Sequence, residues 1–99
     1  MRRSETIDFI RKLKGLAIIN QGYYIAGVLR EIEKKYEESN EKIDSYNFYK
    51  DLDKIFLYHK YPDHKDYNTT SFINKSVKIT QSILHREIRI YKIKKLFMI

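Results

Sequence analysis

The clearest hydrophobic pattern in the chain lies between Tyr23 and Ser39, and it predicts an amphipathic helix. At about 100° per residue, the apolar side of this helix contains Tyr24, Ile25, Val28, Leu29, Ile32 and Tyr36. Charged residues occupy most of the opposite side, with Glu31 and Lys35 in the favourable order at i and i+4. Because one apolar stripe does not stabilise an isolated helix, the rest of the chain must supply the surface that buries it.

A first helix is predicted before this stretch, with Ser4 as its N-cap. Its apolar face contains Phe9, Ile10, Leu13, Leu16 and Ala17. Gly22 is a natural C-terminal stop, so the first two elements form a helix–turn–helix pair. The alternative is a β-hairpin in which residues 16–19 pair with residues 23–26 around the same glycine. The helical interpretation is preferred because the apolar stripe continues without a break to Tyr36.

Two further helices are predicted in the second half of the chain. Asp44 or Ser45 caps the third, and its apolar stripe contains Phe48, Tyr49, Leu52, Ile55 and Phe56. Thr70 or Ser71 caps the fourth, whose apolar positions are Phe72, Ile73, Val77, Ile79, Ile83 and Leu84.

The pattern changes between Ile88 and Phe97, which are rich in β-branched and aromatic residues and fit no helical stripe well. We therefore predict an extended segment here, with a continued helix as the alternative. The predicted fold class is mainly α, or α+β if that segment pairs as a strand. It is a compact single domain over residues 1–99, with four helices and a C-terminal extended segment.

Composition adds several exclusions to this picture. The absence of cysteine excludes disulfides, thiolate zinc sites and cysteine nucleophiles. No apolar run approaches the roughly 20 residues that a membrane span requires. Charged residues interrupt the stretch after the basic N-terminus, so it does not resemble an export signal, and we expect a cytoplasmic location.

Candidate catalytic and metal-binding residues are few. The densest group of metal-ligand types is His59, Asp63, His64 and Asp66, whose spacing matches no established motif. The carboxylates of Glu31, Asp44, Asp51 and Asp53 all fall on predicted polar faces, where solvated surface residues are expected. No nucleophile elbow or glycine-rich phosphate loop occurs. We therefore predict a protein that is not an enzyme and that has no metal or cofactor.

The net charge of +7 favours association with polyanions, although a compositional bias towards lysine would produce a similar value. Positive charge is concentrated at both ends of the chain, in Arg2, Arg3, Arg11, Lys12, Lys14, Arg86, Arg89, Lys92, Lys94 and Lys95. These clusters predict phosphate contacts with DNA or RNA and little sequence preference. The second helix is a poor recognition helix because its exposed side mixes Glu31, Glu33 and Glu37 with its basic residues.

The C-terminal end is also a candidate protein interface. The predicted interface residues are Tyr91, Ile93, Leu96, Phe97, Met98 and Ile99. The last four are consecutive apolar residues, and if exposed they form a patch suited to a partner. That partner is either a second copy of the chain, paired across a two-fold axis, or a host protein. The alternative is that the tail docks into the core of its own chain.

In kind, the chain resembles small proteins encoded by filamentous and rod-shaped viruses of hyperthermophilic archaea, the lipothrixviruses and rudiviruses. The resemblance rests on a length of 99 residues, abundant Lys, Ile, Tyr and Glu, no cysteine and three glycines. It implies a thermostable viral protein in the host cytoplasm or the virion. Proteins of that group with known roles include DNA binders, virion components and inhibitors of host defence. No motif anchors the resemblance, so it assigns no residue a role.

Overall fold

The computed structural model describes residues 2–57 and 67–97, which form four α-helices and one short 3-10 helix. The α-helices are α1 (Arg3–Ile19), α2 (Tyr23–Glu38), α3 (Ser45–Leu52) and α4 (Tyr67–Phe97), and the 3-10 helix Asp53–Phe56 continues directly from α3. No strand occurs within these two ranges, so the prediction of a mainly α fold is confirmed and the β-hairpin alternative is wrong. None of the described helices is both long enough and apolar enough to cross a membrane.

The C-terminal segment is the main correction to the predicted elements, because residues 88–97 continue α4 and are not extended. Leu84, Ile88 and Tyr91 recur at helical spacing, and all three belong to the core or pack against it. Ile93 lies on the opposite side of the helix and is exposed. Apolar residues on both sides hid the helical period in the sequence. The uninterrupted α4 has 31 residues and is about 46 Å long.

The turn between α1 and α2 also differs from its prediction. Gln21, with φ of 62°, adopts the left-handed conformation, whereas Gly22 has φ of −83° and precedes the first residue of α2. The Gly22 amide donates to the carbonyl of Ala17 at 2.8 Å, which closes the end of α1. Gly22 is needed for a different reason. A Cβ at this position would lie 2.2 Å from Oγ1 of Thr80 on α4.

Helix α4 runs antiparallel to α1. The rings of Phe9 and Tyr91 stack with centroids 3.9 Å apart. One turn further along α1, Lys12 pairs with Glu87 at 3.3 Å, four positions earlier on α4. This antiparallel packing places the start of α1 beside the C-terminal end of α4.

Phe48 lies at the centre of the core. It comes from the eight-residue helix α3 and is fully buried. Its ring centroid is 5.7 Å from that of Tyr36 on α2 and 6.4 Å from that of Phe9 on α1. Asp44 caps α3, as predicted, by accepting from the amide of Tyr46 at 3.3 Å. A short helix therefore closes the core because it presents one large ring between two longer helices.

Candidate nucleic-acid interface

Positive charge is distributed very unevenly between α4 and the rest of the chain. The basic residues of α4 are Lys75, Lys78, Arg86, Arg89, Lys92, Lys94 and Lys95, against one acidic residue, Glu87. Glu87 lies on the side of α4 that faces α1, where it pairs with Lys12. Helix α4 thus carries six of the seven net positive charges of the chain.

We call the exposed positions opposite the core the outer face of α4. It consists of Phe72, Lys75, Lys78, Ile79, Ser82, Arg86, Arg89, Ile93, Leu96 and Phe97, all of which are exposed. Its four cations form no ion pair with any acidic side chain of the described ranges. From Lys75 to Arg89 they extend over about 21 Å of helix. The outer face therefore carries four cations and no acidic side chain.

Two cations of the predicted N-terminal cluster join α1 to α2. Glu33 on α2 is 7% exposed and accepts from Nε of Arg11 at 2.8 Å and from Nζ of Lys14. The Lys14 hydrogen bond, with that of Arg11, lowers the pKa of the Glu33 carboxyl despite the opposing effect of burial. Arg11 also pairs with Glu37 at 2.9 Å. The sequence interpretation of Glu33 as part of a solvated face was wrong because its partners lie on another helix.

Three more of the predicted cations contact other helices. Lys12 pairs with Glu87, as described above. Lys95 pairs with Glu5 at the start of α1. Lys92 lies over the ring of Tyr49 on α3, with Nζ 4.7 Å from the centroid. These side chains connect α4 to α1 and α3, so they are engaged within the fold.

Arg3 and the remaining cations complete the predicted set. Arg3 donates to the backbone carbonyl of Glu41 at 2.6 Å. Arg2, Lys94, Arg86 and Arg89 are exposed and have no acidic partner in the described part of the chain. The structure does not gather the predicted clusters into one surface, and acidic side chains pair with four of the ten cations, Arg11, Lys12, Lys14 and Lys95.

The sequence-based prediction of binding residues did not include Lys75 and Lys78, although they belong to the same outer face as Arg86 and Arg89. Their spacing of three and four residues, continued through Ser82, is the signal that identifies a single helical face. An extended segment from Ile88 separates Arg89 from this series. Because α4 is one continuous helix, Arg89 belongs to this series.

Only some residues of the predicted protein interface are exposed in the structure. Tyr91 is not available to a partner because it stacks on Phe9 and its buried hydroxyl has no hydrogen-bond partner among the described residues. Burial, together with the charge of Glu5, raises the pKa of Tyr91 to about 12. Ile93, Leu96 and Phe97 are exposed, so these residues do not dock into the core. Met98 and Ile99 lie outside the described residues.

The carboxylate of Asp51 is buried, contrary to its predicted solvated position. It accepts from the hydroxyl of Tyr36 at 2.6 Å and from Nζ of Lys35 at 2.8 Å, and it pairs with Lys54 at 3.3 Å. Burial would raise the pKa of Asp51, but these hydrogen bonds outweigh it and lower the pKa. Burial and the bond to Asp51 raise the pKa of Tyr36. The contacts of Tyr36 and Lys35 join α2 to α3, so the network holds the fold together.

The candidate metal ligands His59, Asp63, His64 and Asp66 lie outside the described residues. Within residues 2–57 and 67–97, no three side chains of the metal-binding types form a group that could hold an ion. A cleft of about 660 Å³ opens beside Asp51, but its lining mixes lysines with carboxylates, and Lys35 and Lys54 both contact Asp51. The most buried carboxylate of the cleft, that of Asp51, is therefore already paired with lysines.

Comparison with known proteins gives no functional assignment. No protein-family model matches the chain, no curated protein matches it, and no solved structure matches it. The resemblance in composition to archaeal viral proteins thus stays a prediction.

Acid is expected to destabilise the fold through Glu33 and Asp51. Both carboxyls have a lower pKa when folded than when unfolded, so the folded state binds fewer protons. Their stabilising contribution is complete above a pH of about 4.5 and is lost as the pH falls through the folded-state pKa values. Denaturant unfolding between about pH 7 and pH 3 measures this loss. Glu33→Gln should flatten the profile, and a profile parallel to that of the wild type would contradict the assignment.

Proposed function

We propose that this protein is a non-catalytic DNA- or RNA-binding protein that contacts phosphates through the outer face of α4 without strong sequence preference. The observation that supports the proposal is the charge of α4, which has seven basic residues and one acidic residue turned towards α1. In the setting that the compositional resemblance suggests, it acts as a viral protein in the host cytoplasm or in the virion.

The arrangement of the four cations suits phosphate binding. Lys75, Lys78, Arg86 and Arg89 project from one side of one uninterrupted helix, and no acidic side chain of α4 shares that side. Each phosphate contact releases a condensed counterion, so four contacts predict a log–log salt dependence with a slope of about −3 to −4. A positive surface without interspersed carboxylates also favours fast association at low salt.

Among base edges, the cations of the outer face suit guanine, but the face has no group suited to adenine. Paired hydrogen bonds to adenine need Asn or Gln, and neither residue occurs on the outer face. Gln81, on the same helix, donates instead to the carbonyl of Ile55 at 3.0 Å. Contacts to phosphates, which carry no sequence information, are therefore the main interaction expected.

Reversing the charge of Arg86 and Arg89 is expected to weaken nucleic-acid binding by roughly 10- to 100-fold and to reduce the salt slope by about two. Both side chains are exposed, so Arg86→Glu with Arg89→Glu should leave the fold intact. The measurement is a salt titration of binding to random-sequence duplex DNA, single-stranded DNA and RNA.

The matched control is Arg30→Glu with Lys34→Glu on α2, which makes the same change in net charge at two other exposed positions. If net charge alone attracts the polymer, the two double variants lose affinity equally, and the assignment to α4 is wrong. If the wild type binds none of the three polymers at low salt, the proposed function itself is wrong.

A second candidate function is protein binding at the C-terminal end of α4. The observation that favours it is the exposure of Leu96 and Phe97, at 71% and 85%. A host protein with an acidic rim fits this surface better than a second copy of the chain. In a symmetric contact between two α4 helices, the cations of the outer face would lie opposite each other and repel.

A further inference from the structure

We propose that the nucleic acid bound by α4 is single-stranded, and that its unpaired bases pack on the apolar side chains of the outer face. This inference rests on the proposed function and specifies its ligand. It is based on the apolar half of the outer face, which phosphate binding alone leaves unexplained.

Apolar side chains lie before, between and after the two pairs of cations on the outer face. The apolar members are Phe72, Ile79, Ile93, Leu96 and Phe97. The two rings lie at opposite ends, with Phe72 51% exposed and Phe97 85% exposed. They are 25 positions apart on one helix, or about 37 Å, and all four cations lie between them. A polymer lying along α4 would therefore meet apolar groups before, between and after the two pairs of cations.

A nucleic-acid duplex would make favourable contacts only with the cations of the outer face. In a duplex the bases are stacked inside, so a helix lying on its backbone contacts charged phosphates and sugars. Phe97 and Leu96 would then be pressed against phosphates and would gain no apolar contact. A single strand presents both phosphates and the flat faces of unpaired bases, and a base stacked on an aromatic side chain contributes favourably whatever its sequence.

Other polyanions match the surface less well. An acidic polypeptide supplies negative charge, but it lacks a regular series of planar rings. An anionic lipid surface binds helices whose apolar and basic residues are segregated onto opposite faces. On α4 they are mixed on one face, because the other face packs against α1 and α2. Cations and exposed apolar side chains that share one surface are the pattern typical of single-strand binding.

The first test compares three ligands of equal length, about 20 nucleotides each: single-stranded poly(dT), a duplex, and a strand of abasic sites. The abasic strand keeps the phosphates of poly(dT) and lacks its bases. At one low salt concentration, poly(dT) is expected to bind roughly tenfold more tightly than either of the others. Equal affinity for the abasic strand or the duplex would overturn the inference, while leaving phosphate binding by α4 in place.

The second test removes the rings. Phe97→Ala and Phe72→Ala are each expected to weaken poly(dT) binding about tenfold, with the salt slope unchanged and abasic-strand binding unaffected. The matched control is Tyr46→Ala on α3, which removes a ring that is 71% exposed outside the outer face. Poly(dT) affinity equal to that of the wild type in both phenylalanine variants would refute base packing. Absence of binding to all three ligands would instead refute the proposed function.

Discussion

Phe48→Ala is expected to lower the free energy of unfolding by about 4 kcal/mol, the largest effect of any single substitution considered. Phe48 is fully buried, and its ring contacts rings from two other helices. Truncation removes the transfer free energy of the ring and leaves a cavity between rings that are held by their own contacts. Since a domain of this size is stable by about 5–15 kcal/mol, the variant should be close to unfolding at moderate temperature.

Thermal and urea unfolding followed by circular dichroism measure this effect. Phe48→Leu, which keeps most of the apolar volume, should cost about 1 kcal/mol. Tyr46→Ala, on the same short helix, should change stability by less than about 0.5 kcal/mol because the side chain is exposed. A loss below 2 kcal/mol for Phe48→Ala would show that α3 is not the closing element of the core.

The same cluster also positions the proposed binding surface. Phe48 packs against Phe9, and Phe9 stacks on Tyr91 of α4. Tyr49, next to Phe48, contacts Tyr91 edge-on, with centroids 6.5 Å apart. The C-terminal half of α4 is therefore held by rings from α1 and α3, and this support fixes which of its sides faces solvent.

Most of the helical architecture could be predicted because α1, α2 and α3 each have one apolar side. The stripe from Tyr24 to Tyr36 is uninterrupted, and the observed α2 ends at Glu38, one residue before the predicted end. Asp44 was one of the two predicted caps, because a short polar side chain before an apolar run can accept from the first amides of a helix. Local patterns predict local structure well where one side of the helix is buried and the other is charged.

The C-terminal half of α4 could not be predicted, because it has apolar residues on both of its sides. Ile93 and Phe97 are apolar and exposed, so the segment lacks the contrast between two sides that identifies a helix. Under the proposed single-strand binding, these residues are apolar because they contact a ligand. The same apolar residues weakened the helical pattern in the sequence. The ion pairs of Glu33 and Asp51 were missed for another reason, since their partners belong to other helices or turns.

Gly22→Ala is expected to destabilise the protein by about 3 kcal/mol, although alanine usually stabilises a chain relative to glycine. The backbone of Gly22, with φ of −83°, accepts any residue, so the loss cannot come from the dihedral angle. It comes from contact with α4, because the added Cβ would lie 2.2 Å from Oγ1 and 2.7 Å from Cβ of Thr80. The Gly22 amide and carbonyl are bonded to Ala17 and Ala26, which resist the necessary shift.

The chain contains its own controls for this substitution. Gly15→Ala and Gly27→Ala lie within helices where an added Cβ meets nothing within 4 Å, so each should stabilise the protein by about 0.5–1 kcal/mol. Thr80→Ala removes the nearest atom and should recover part of the loss when combined with Gly22→Ala, which a double-mutant cycle would detect as coupling. Equal stabilisation in all three glycine variants, measured by urea unfolding, would mean that the turn does not contact α4. The position of α4 against the α1–α2 hairpin would then be wrong, and with it the side of α4 that faces solvent.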